Sequence, residues 1–150
     1  MTNFITPDGL KEFEKELAER LEKRRTIAQA IKSAKEQGDL SENAEYSAAK
    51  AQQRENESRI NWLVCVVDKA HVVEKQGEDK VELGCLVELA RENADDMTVR
   101  VVGTHETDPT NGKISHQSPL GQAIIGKKKG ESVEVDTHNG KEKYEIKEIK

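Results

Sequence analysis

Three carboxylates lie close together in one short polar stretch of the chain. Asp39, Glu42 and Glu45 fall within residues 38–46, which read GDLSENAEY. Asp39 and Glu42 are therefore about one helical turn apart. Oxygen ligands in this number suit Mg²⁺, which commonly takes one or two protein carboxylates and fills its octahedron with water and phosphate oxygens. Phosphodiester cleavage with two metal ions uses such an ion to activate and align the attacking water.

Helix capping explains the same residues without any metal. Asp, Ser and Glu favour the first turn of a helix, where they accept hydrogen bonds from unpaired N–H groups and meet the positive end of the helix dipole. Ser41, with Glu42 in the first turn and Glu45 just beyond, fits this description. Composition alone therefore leaves capping and metal binding open.

Two long helices are predicted on either side of this stretch. The first covers residues 8–36, with Thr6 as its N-cap, Pro7 at its first position and Gly38 as its stop. The second runs from Ser41 to about residue 73. In both helices the seam residues recur at steps of three and four: Leu10, Phe13, Leu17, Leu21, Ile27, Ile31 and Ala34, then Tyr46, Ala49, Gln53, Asn56, Ile60, Leu63, Val67 and Ala70.

The short connection between the two helices requires them to fold back as an antiparallel hairpin. At about 1.5 Å per residue, each arm would be about 45 Å long. Arg20 and Arg24 make the middle of the seam polar, and we expect them to oppose residues on the second arm, Asn56 and Glu55. Two carboxylates on the tip of such a projection bind a cation weakly alone, but they could complete a site that another protein supplies.

After residue 77 the hydrophobic period changes from the helical value to two, which predicts strands. The predicted strands are residues 81–89, 97–102, 132–136 and 143–149, with turns at 93–96, 111–112 and 139–140. A short helix is predicted at 119–125, capped by Ser118 and ended by Gly126. The expected fold class is α+β: a coiled-coil hairpin at residues 1–75, then a small, mainly antiparallel β domain at residues 76–150.

Charge and hydropathy narrow the class of partner. Residues 1–75 carry 13 Lys and Arg against 14 Asp and Glu, a net charge of −1, and residues 76–150 carry 11 against 15, a net charge of −4. Neither half has the basic excess of a protein that grips nucleic acid through phosphates, so a protein partner is favoured. The longest apolar run, residues 62–67, is too short to cross a bilayer, and no secretion signal is evident. A cytoplasmic protein without a membrane partner is expected.

The two cysteines lie in apolar patterns, Cys65 in the second helix and Cys85 in a strand. Neither belongs to a CxxC motif or has a histidine at metal-binding spacing. Because free cysteine is among the most buried residue types, we expect both to be small core residues. The four histidines are dispersed and there is no glycine-rich phosphate loop, so independent catalysis is not expected.

Two separate motifs resemble one known family. Residues 38–50, GDLSENAEYSAAK, resemble the signature of the bacterial transcript-cleavage (transcription elongation) factors GreA and GreB, and GreA more than GreB. A second set of residues resembles the C-terminal domain of the same family: Val102-Gly103, Glu106, Asp108, GKIS at 112–115 and SPLGQAIIGK at 118–127. With TPDGLK at residues 6–11, the resemblance covers nearly the whole chain.

The resemblance implies a function and a partner. It implies that the C-terminal domain has FKBP-like β architecture without isomerase activity and docks at the rim of the RNA polymerase secondary channel, which the hairpin enters. There the factor would stimulate the polymerase to cleave the 3′ end of nascent RNA in backtracked or arrested complexes. It would be an accessory factor and not an enzyme, with no cofactor of its own beside the Mg²⁺ of the polymerase, and we expect a monomer.

The resemblance also implies roles for the tip residues. Asp39 and Glu42 would help to hold a shared Mg²⁺ in the polymerase active site and to orient water. Tyr46 would brace the tip by packing across the turn. The residues that would shape the tip or contact polymerase or RNA are Leu40, Ser41, Asn43, Glu45 and Tyr46.

Three consecutive basic residues lie in the middle of the first arm. Lys23, Arg24 and Arg25 could meet an RNA 3′ end that is extruded into the channel. The alternative is intrahelical pairing with Glu19 and Glu22, which is worth a few tenths of a kcal/mol per pair. Both interpretations stay open.

Two other function classes compete with transcript cleavage. One is a family-related inhibitor that binds the polymerase channel without cleavage activity, which the intact Asp39, Glu42 and full-length arms disfavour. The other is an FKBP-like isomerase or chaperone. The second half of the chain has Tyr144 as its one aromatic residue, too few for the aromatic-lined pocket that proline binding requires.

Overall fold

A computed structural model describes residues 3–39 and 43–150 of the chain. The helices are α1 (Pro7–Lys35), α2 (Ala44–Lys69) and α3 (Pro119–Ile124), and the strands are β1 (Asn3–Ile5), β2 (Ala70–Val72), β3 (Leu86–Arg91), β4 (Ala94–Val102), β5 (Lys113–Ser115), β6 (Ser132–Thr137) and β7 (Gly140–Ile149). Long helices followed by a β-sheet domain confirm the predicted α+β class. None of the helices in these ranges combines the length and the apolar character needed to cross a membrane.

The chain divides into two compact units, residues 10–69 and residues 3–9 with 70–150. The sequence-based boundary after residue 75 instead placed residues 3–9 and 70–75 with the hairpin. The difference arises because β1 and β2 pair in parallel, with Asn3 opposite Ala70 and Ile5 opposite Val72. The Val73 amide continues this pairing by donating to the Ile5 carbonyl oxygen at 2.9 Å.

Helix α1 begins as predicted. The Thr6 hydroxyl oxygen accepts a hydrogen bond from the Gly9 amide at 3.1 Å, and Pro7 is the first helical residue. The helix ends at Lys35, and Gly38 follows with a φ of 134°, a conformation that glycine adopts far more readily than other residues. The predicted cap at Thr6 and the predicted stop at Gly38 are therefore both confirmed.

The seam of α1 passes through charged residues where an apolar one was expected. Leu21 is 42% exposed, so its predicted place in the seam is wrong. A strict alternation of three and four residues leads from Leu17 through Arg20 and Arg24 to the buried Ile27. Two arginines thus occupy seam positions, which explains the polar middle of the hairpin.

Helix α2 differs from its prediction at its end and in one buried position. It stops at Lys69 instead of residue 73, because the backbone of Ala70–Val72 leaves the helix to pair with β1. The residues buried at its C-terminal half are Ile60, Leu63 and Val66. Cys65 lies off this face and is exposed, so its predicted core position is wrong, whereas Cys85 is buried as expected.

The second unit is built on a five-stranded sheet in the order β5-β4-β3-β7-β6. Its neighbours are antiparallel except for β4 and β5, which run parallel. In β6, Val133 and Val135 are buried while the residues between and beside them face solvent, the alternation typical of a sheet with one covered face. The fully buried members of the core include Val87, Leu89, Val101, Ile124 and Ile146.

The predicted strand at residues 81–89 begins only at Leu86. Gly84 has a φ of 97°, and the Cys85 amide donates to the Glu82 carbonyl oxygen at 3.0 Å, so the chain turns before the strand starts. Val81, Leu83 and Cys85 are nevertheless buried, which gave this loop the period of a strand. Sequence periodicity missed β1, β2 and β5 because three residues are too few to show a period of two.

The short helix α3 is capped and ended as predicted. The Ser118 hydroxyl oxygen accepts from the Gly121 amide at 3.0 Å, and Pro119 is the first helical residue. A Cβ atom at Gly121 would overlap the Ser115 carbonyl oxygen, so only glycine allows this helix to lie so close to the end of β5.

One carboxylate ties the N-terminal segment to the β unit. The same Glu106 oxygen, Oε2, accepts from the amides of Thr6 and Gly103, each at 2.9 Å, and the Thr6 hydroxyl donates to Oε1. Cβ atoms at Gly9 and Gly103 would overlap Glu106 and the Phe4 carbonyl oxygen, respectively. Residues that are 100 positions apart in the sequence therefore interlock, and the Thr6 hydroxyl that caps α1 is itself held in place.

Candidate functional site at the hairpin tip

Of the predicted acidic pair, Asp39 and Glu42, the structure describes Asp39. Asp39 is exposed and follows Gly38 in the connection between α1 and α2. Leu40, Ser41 and Glu42 lie outside the described residues, so their roles stay predictions. Within residues 3–39 and 43–150, no group of three or more His, Cys, Asp or Glu side chains is placed to hold a metal ion.

Asn43, which directly precedes α2, joins the two arms. Its side-chain oxygen accepts from the Tyr46 amide at 3.0 Å, which makes Asn43 the cap of α2 where the sequence suggested Ser41. Its side-chain amide donates to the Ala34 carbonyl oxygen at 2.8 Å, in the last turn of α1. One side chain thus satisfies a donor at the start of one helix and an acceptor at the end of the other.

Replacement of Asn43 by alanine is expected to lower the unfolding free energy by about 1 kcal/mol, because an N-cap and its hydrogen bond are lost. Urea unfolding measures this change, and hydrogen exchange of the Tyr46 amide locates it. Asn61→Ala, at an exposed position of the same helix, is the matched control and should stay within about 0.5 kcal/mol of wild type. Equal effects of the two substitutions would contradict the capping role.

A small apolar cluster supports the tip from below. Ile27, Ile31 and Ala49 are buried at 3%, 8% and 6% exposure, and Tyr46 packs against them. The cluster takes residues from both helices, so Tyr46 packs against a core that the two arms share. Glu45 is exposed in the first turn of α2, where a negative charge meets the positive end of the helix dipole favourably.

Two bidentate ion pairs join the arms further down. Arg59 donates to Glu16 at 2.7 and 2.8 Å, and Arg24 donates to Glu57 at 2.7 and 2.9 Å. The sequence interpretation assigned Glu55 to this contact, and the structure corrects it to Glu57, which Arg24 reaches from its seam position. Sequence reasoning also missed the pair between Glu16 and Arg59. The available signal was a pair of opposite charges at positions that flank the seam, Glu16 beside Leu17 and Arg59 beside Ile60.

The three consecutive basic residues in the middle of α1, residues 23–25, differ in their surroundings. Arg24 pairs across the hairpin with Glu57, so the predicted intrahelical pairing with Glu19 or Glu22 is wrong for this residue. Lys23 and Arg25 have exposed side chains. An RNA contact by these three residues stays a prediction.

The ion pair at Glu16 affects how the hairpin responds to acid. Hydrogen bonds from Arg59 hold the pKa of the Glu16 carboxyl below its ordinary value, despite the opposing effect of burial. The same contact raises the pKa of Arg59. A carboxyl with a lowered folded-state pKa contributes stability above the pH at which it titrates in the unfolded chain, and this stability is lost as the pH falls through the folded-state pKa.

We therefore expect the stability difference between wild type and Glu16→Gln to shrink on acidification. It should be full at neutral pH and decline below about pH 4.3, where an unfolded glutamate titrates. Unfolding free energies measured from neutral pH to about pH 3 test this. Glu14→Gln, at an exposed position of the same helix, controls for the change in net charge, and a constant difference at every pH would refute the assignment.

Comparison with known proteins places the whole chain in one family. Residues 3–72 match the family model "Transcription elongation factor, N-terminal", and residues 75–150 match "Transcription elongation factor, GreA/GreB, C-term". Transcription elongation factor GreA of Lachnoclostridium phytofermentans is 42% identical over 151 residues, which cover 98% of this chain and 94% of that protein. GreA of Rhizobium leguminosarum bv. trifolii is 41% identical over 149 residues, with 97% and 94% covered.

A solved structure also aligns with the full chain. The crystal structure of GreA factor homolog 1 (Gfh1) of Thermus thermophilus is 25% identical in sequence and covers 100% of this chain and 99% of its own, with a TM-score of 0.48. The two matched family models and the curated relatives, whose matches span almost the full length of the chain, decide the assignment. The chain belongs to the GreA/GreB family of transcription elongation factors.

Proposed function

We propose that this protein stimulates RNA polymerase to cleave the 3′ end of nascent RNA in backtracked or arrested complexes. The observation that carries the proposal is Asp39, an exposed carboxylate in the turn between helices of 29 and 26 residues. At about 1.5 Å per residue, such arms are about 40 Å long. A thin helical hairpin of this length suits entry into a narrow channel, and we propose the polymerase secondary channel, with the β unit docking at its rim.

Contacts along the arms support a rod that keeps its tip in a defined place. At the base, the rings of Phe13 and Trp62 meet edge to face with centroids 5.6 Å apart, and the Arg59 guanidinium lies 4.3 Å from the Trp62 ring centroid. Near the tip, Asn43 bonds to Ala34 across the turn. Because the arms are joined at both ends, a carboxylate in the turn can be delivered with little loss of conformational freedom on binding.

The proposed chemistry needs only one or two carboxylates from this chain. Asp39 is exposed, which fits a ligand that enters the coordination sphere of an ion held mainly by another protein. By the family motif, Glu42 would share this role. Mg²⁺ at such a site makes water a better nucleophile at neutral pH. Asp39 would orient that water, while the polymerase supplies the remaining ligands and the active site, so this chain acts as an accessory factor and not as an enzyme.

The proposed partners are RNA polymerase and the 3′ end of nascent RNA. The net charge of −5 supports binding to a protein over independent binding to nucleic acid. We propose that the factor acts as a monomer, since one hairpin suffices to present one tip, and that it works in the cytoplasm, where its proposed partner transcribes.

The proposal is tested with backtracked elongation complexes that carry RNA labelled at its 3′ end. Addition of the factor with Mg²⁺ should release short labelled fragments much faster than polymerase alone, and the factor without polymerase should release none. Inhibition of nucleotide addition without fragment release would overturn the proposal and identify a channel-binding inhibitor.

A further inference from the structure

We propose that Asn56 is a positioning residue that fixes the register of the two arms halfway along the hairpin, and with it the place of Asp39. This inference rests on the function proposed above. Asn56 would act through the helices and not by contact with RNA, metal or polymerase.

Asn56 occupies a place in α2 where an apolar residue would be ordinary. Its side chain is 1% exposed and continues the seam formed by Ala49, Ile60 and Leu63, which are all buried. Burying an amide side chain is unfavourable unless its donors and acceptor are hydrogen-bonded. A buried asparagine at this seam position therefore needs a specific partner, which a leucine would not.

The partner of Asn56 is mainly the backbone of the other arm. The Asn56 side-chain amide donates to the Arg20 carbonyl oxygen at 3.0 Å, and its side-chain oxygen accepts from the Arg20 guanidinium at 3.4 Å. A carbonyl oxygen moves with its helix, since it has no side-chain torsions of its own. Sliding one arm by a single residue, about 1.5 Å, would break this bond and leave the amide buried without its acceptor.

The contacts on either side of Asn56 tolerate such sliding better. The pairs from Arg59 to Glu16 and from Arg24 to Glu57 join long side chains, whose torsions can follow a small displacement. Apolar contacts above and below the polar middle are non-directional. In coiled coils a single buried asparagine specifies register at a cost in stability, and the geometry of Asn56 matches that device.

Paired spin labels on the two arms test the register directly. Ala28→Cys and Gln52→Cys place labels at exposed positions, Cys65→Ser removes the exposed native thiol, and Cys85 stays buried. With Asn56 present, we expect one narrow distance distribution. Asn56→Leu should broaden it or add a second population, while the thermal midpoint stays equal or rises because a buried polar group is replaced by an apolar one.

The same substitution should separate rate from binding in the cleavage assay. The rate at saturating factor is expected to fall about tenfold, since small misplacements of a reacting group have effects of this size or larger. The concentration for half-maximal stimulation should stay within about twofold of wild type, because the docking surfaces are unchanged. A substitution that merely weakened the fold would lower the midpoint, which this one should not.

Arg20→Ala is the matched control. It removes the guanidinium that pairs with Glu16 and Asn56, but it keeps the backbone carbonyl that Asn56 needs. We expect a lower thermal midpoint with an unchanged distance distribution and near-wild-type cleavage, the reverse of the Asn56→Leu pattern.

The outcomes separate this inference from the proposed function. A narrow distribution and wild-type cleavage with Asn56→Leu would overturn the inference and leave the proposed function standing. A broadened distribution with unchanged cleavage would equally overturn the link from Asn56 to Asp39. Absence of cleavage by the unsubstituted chain would overturn the proposed function, and the label distances would still decide whether Asn56 sets the register.

Discussion

Replacing Asp39 by asparagine is expected to lower the rate of factor-stimulated RNA cleavage about a hundredfold, because a neutral amide is a poorer ligand for Mg²⁺ than a carboxylate and misplacement of the attacking water by about 1 Å can cost this much. Asparagine keeps the size and polarity of the side chain but removes its negative charge. Asp39 is exposed and lies outside the buried core, so the variant should still fold, which urea unfolding checks. Glu42→Asn is expected to give a similar loss, by the family motif.

The comparison that isolates the role of Asp39 uses a neighbouring acid. Glu36→Gln removes the same charge from an exposed position just before Gly38 and should cleave like wild type. Competition for polymerase with labelled wild-type factor should show that Asp39→Asn still binds. If Asp39→Asn and Glu36→Gln reduced the rate equally, the effect would be one of general charge and not of a carboxylate at the tip.

Replacing Glu106 by alanine is expected to destabilise the β unit by about 3 kcal/mol, because it leaves the buried amide donors of Thr6 and Gly103 without their acceptor. The same change frees the Thr6 hydroxyl that caps α1. Glu106→Gln should lose less, since its amide oxygen can accept from both backbone N–H groups while its amide nitrogen donates to the Thr6 hydroxyl.

Urea unfolding and hydrogen exchange together test the role of Glu106. The Val73 amide, which bonds to the Ile5 carbonyl oxygen, should exchange faster in Glu106→Ala because β1 is no longer held. Glu92→Ala, in the turn between β3 and β4, is the control for loss of an exposed acid. A stability loss in Glu106→Ala no larger than in Glu92→Ala would contradict the assigned contacts.

Local signals allowed α1 and α3 to be predicted closely. The Thr6-Pro7 start and the three-and-four spacing up to Ala34 placed α1 within one residue at each end. The pair Ser118-Pro119 did the same for α3. In each case the residues that decide the boundary are adjacent in sequence, so no knowledge of the tertiary structure was needed.

Features that depend on distant contacts could not be predicted from the sequence. Helix α2 ends earlier than predicted because Ala70–Val72 pairs with Asn3–Ile5, the segment that precedes α1. The Glu106 link joins positions 100 residues apart. Both features depend on which distant segments meet in the folded chain. The local pattern of charged and apolar residues does not show which segments these are.

At the tip, too, the sequence predicted some features and missed those that depend on contacts between the two arms. Composition left capping and metal binding open for its carboxylates, and the cap of α2 proves to be Asn43, whose bond to Ala34 spans both arms. Arg24 was expected to face Glu55, but from its seam position it donates hydrogen bonds to Glu57. The identity of the family came from two whole motifs, and no single residue in either would have been sufficient.

In the proposed mechanism, the hairpin places Asp39 at the active site of RNA polymerase. The most direct measurement is photocrosslinking from position 37, which is exposed and two residues before Asp39, with the full-length factor bound to a backtracked complex. We predict crosslinks to the polymerase active site or to the RNA 3′ end. Crosslinks confined to the outer surface of the polymerase would show that the hairpin does not deliver Asp39 to the active site.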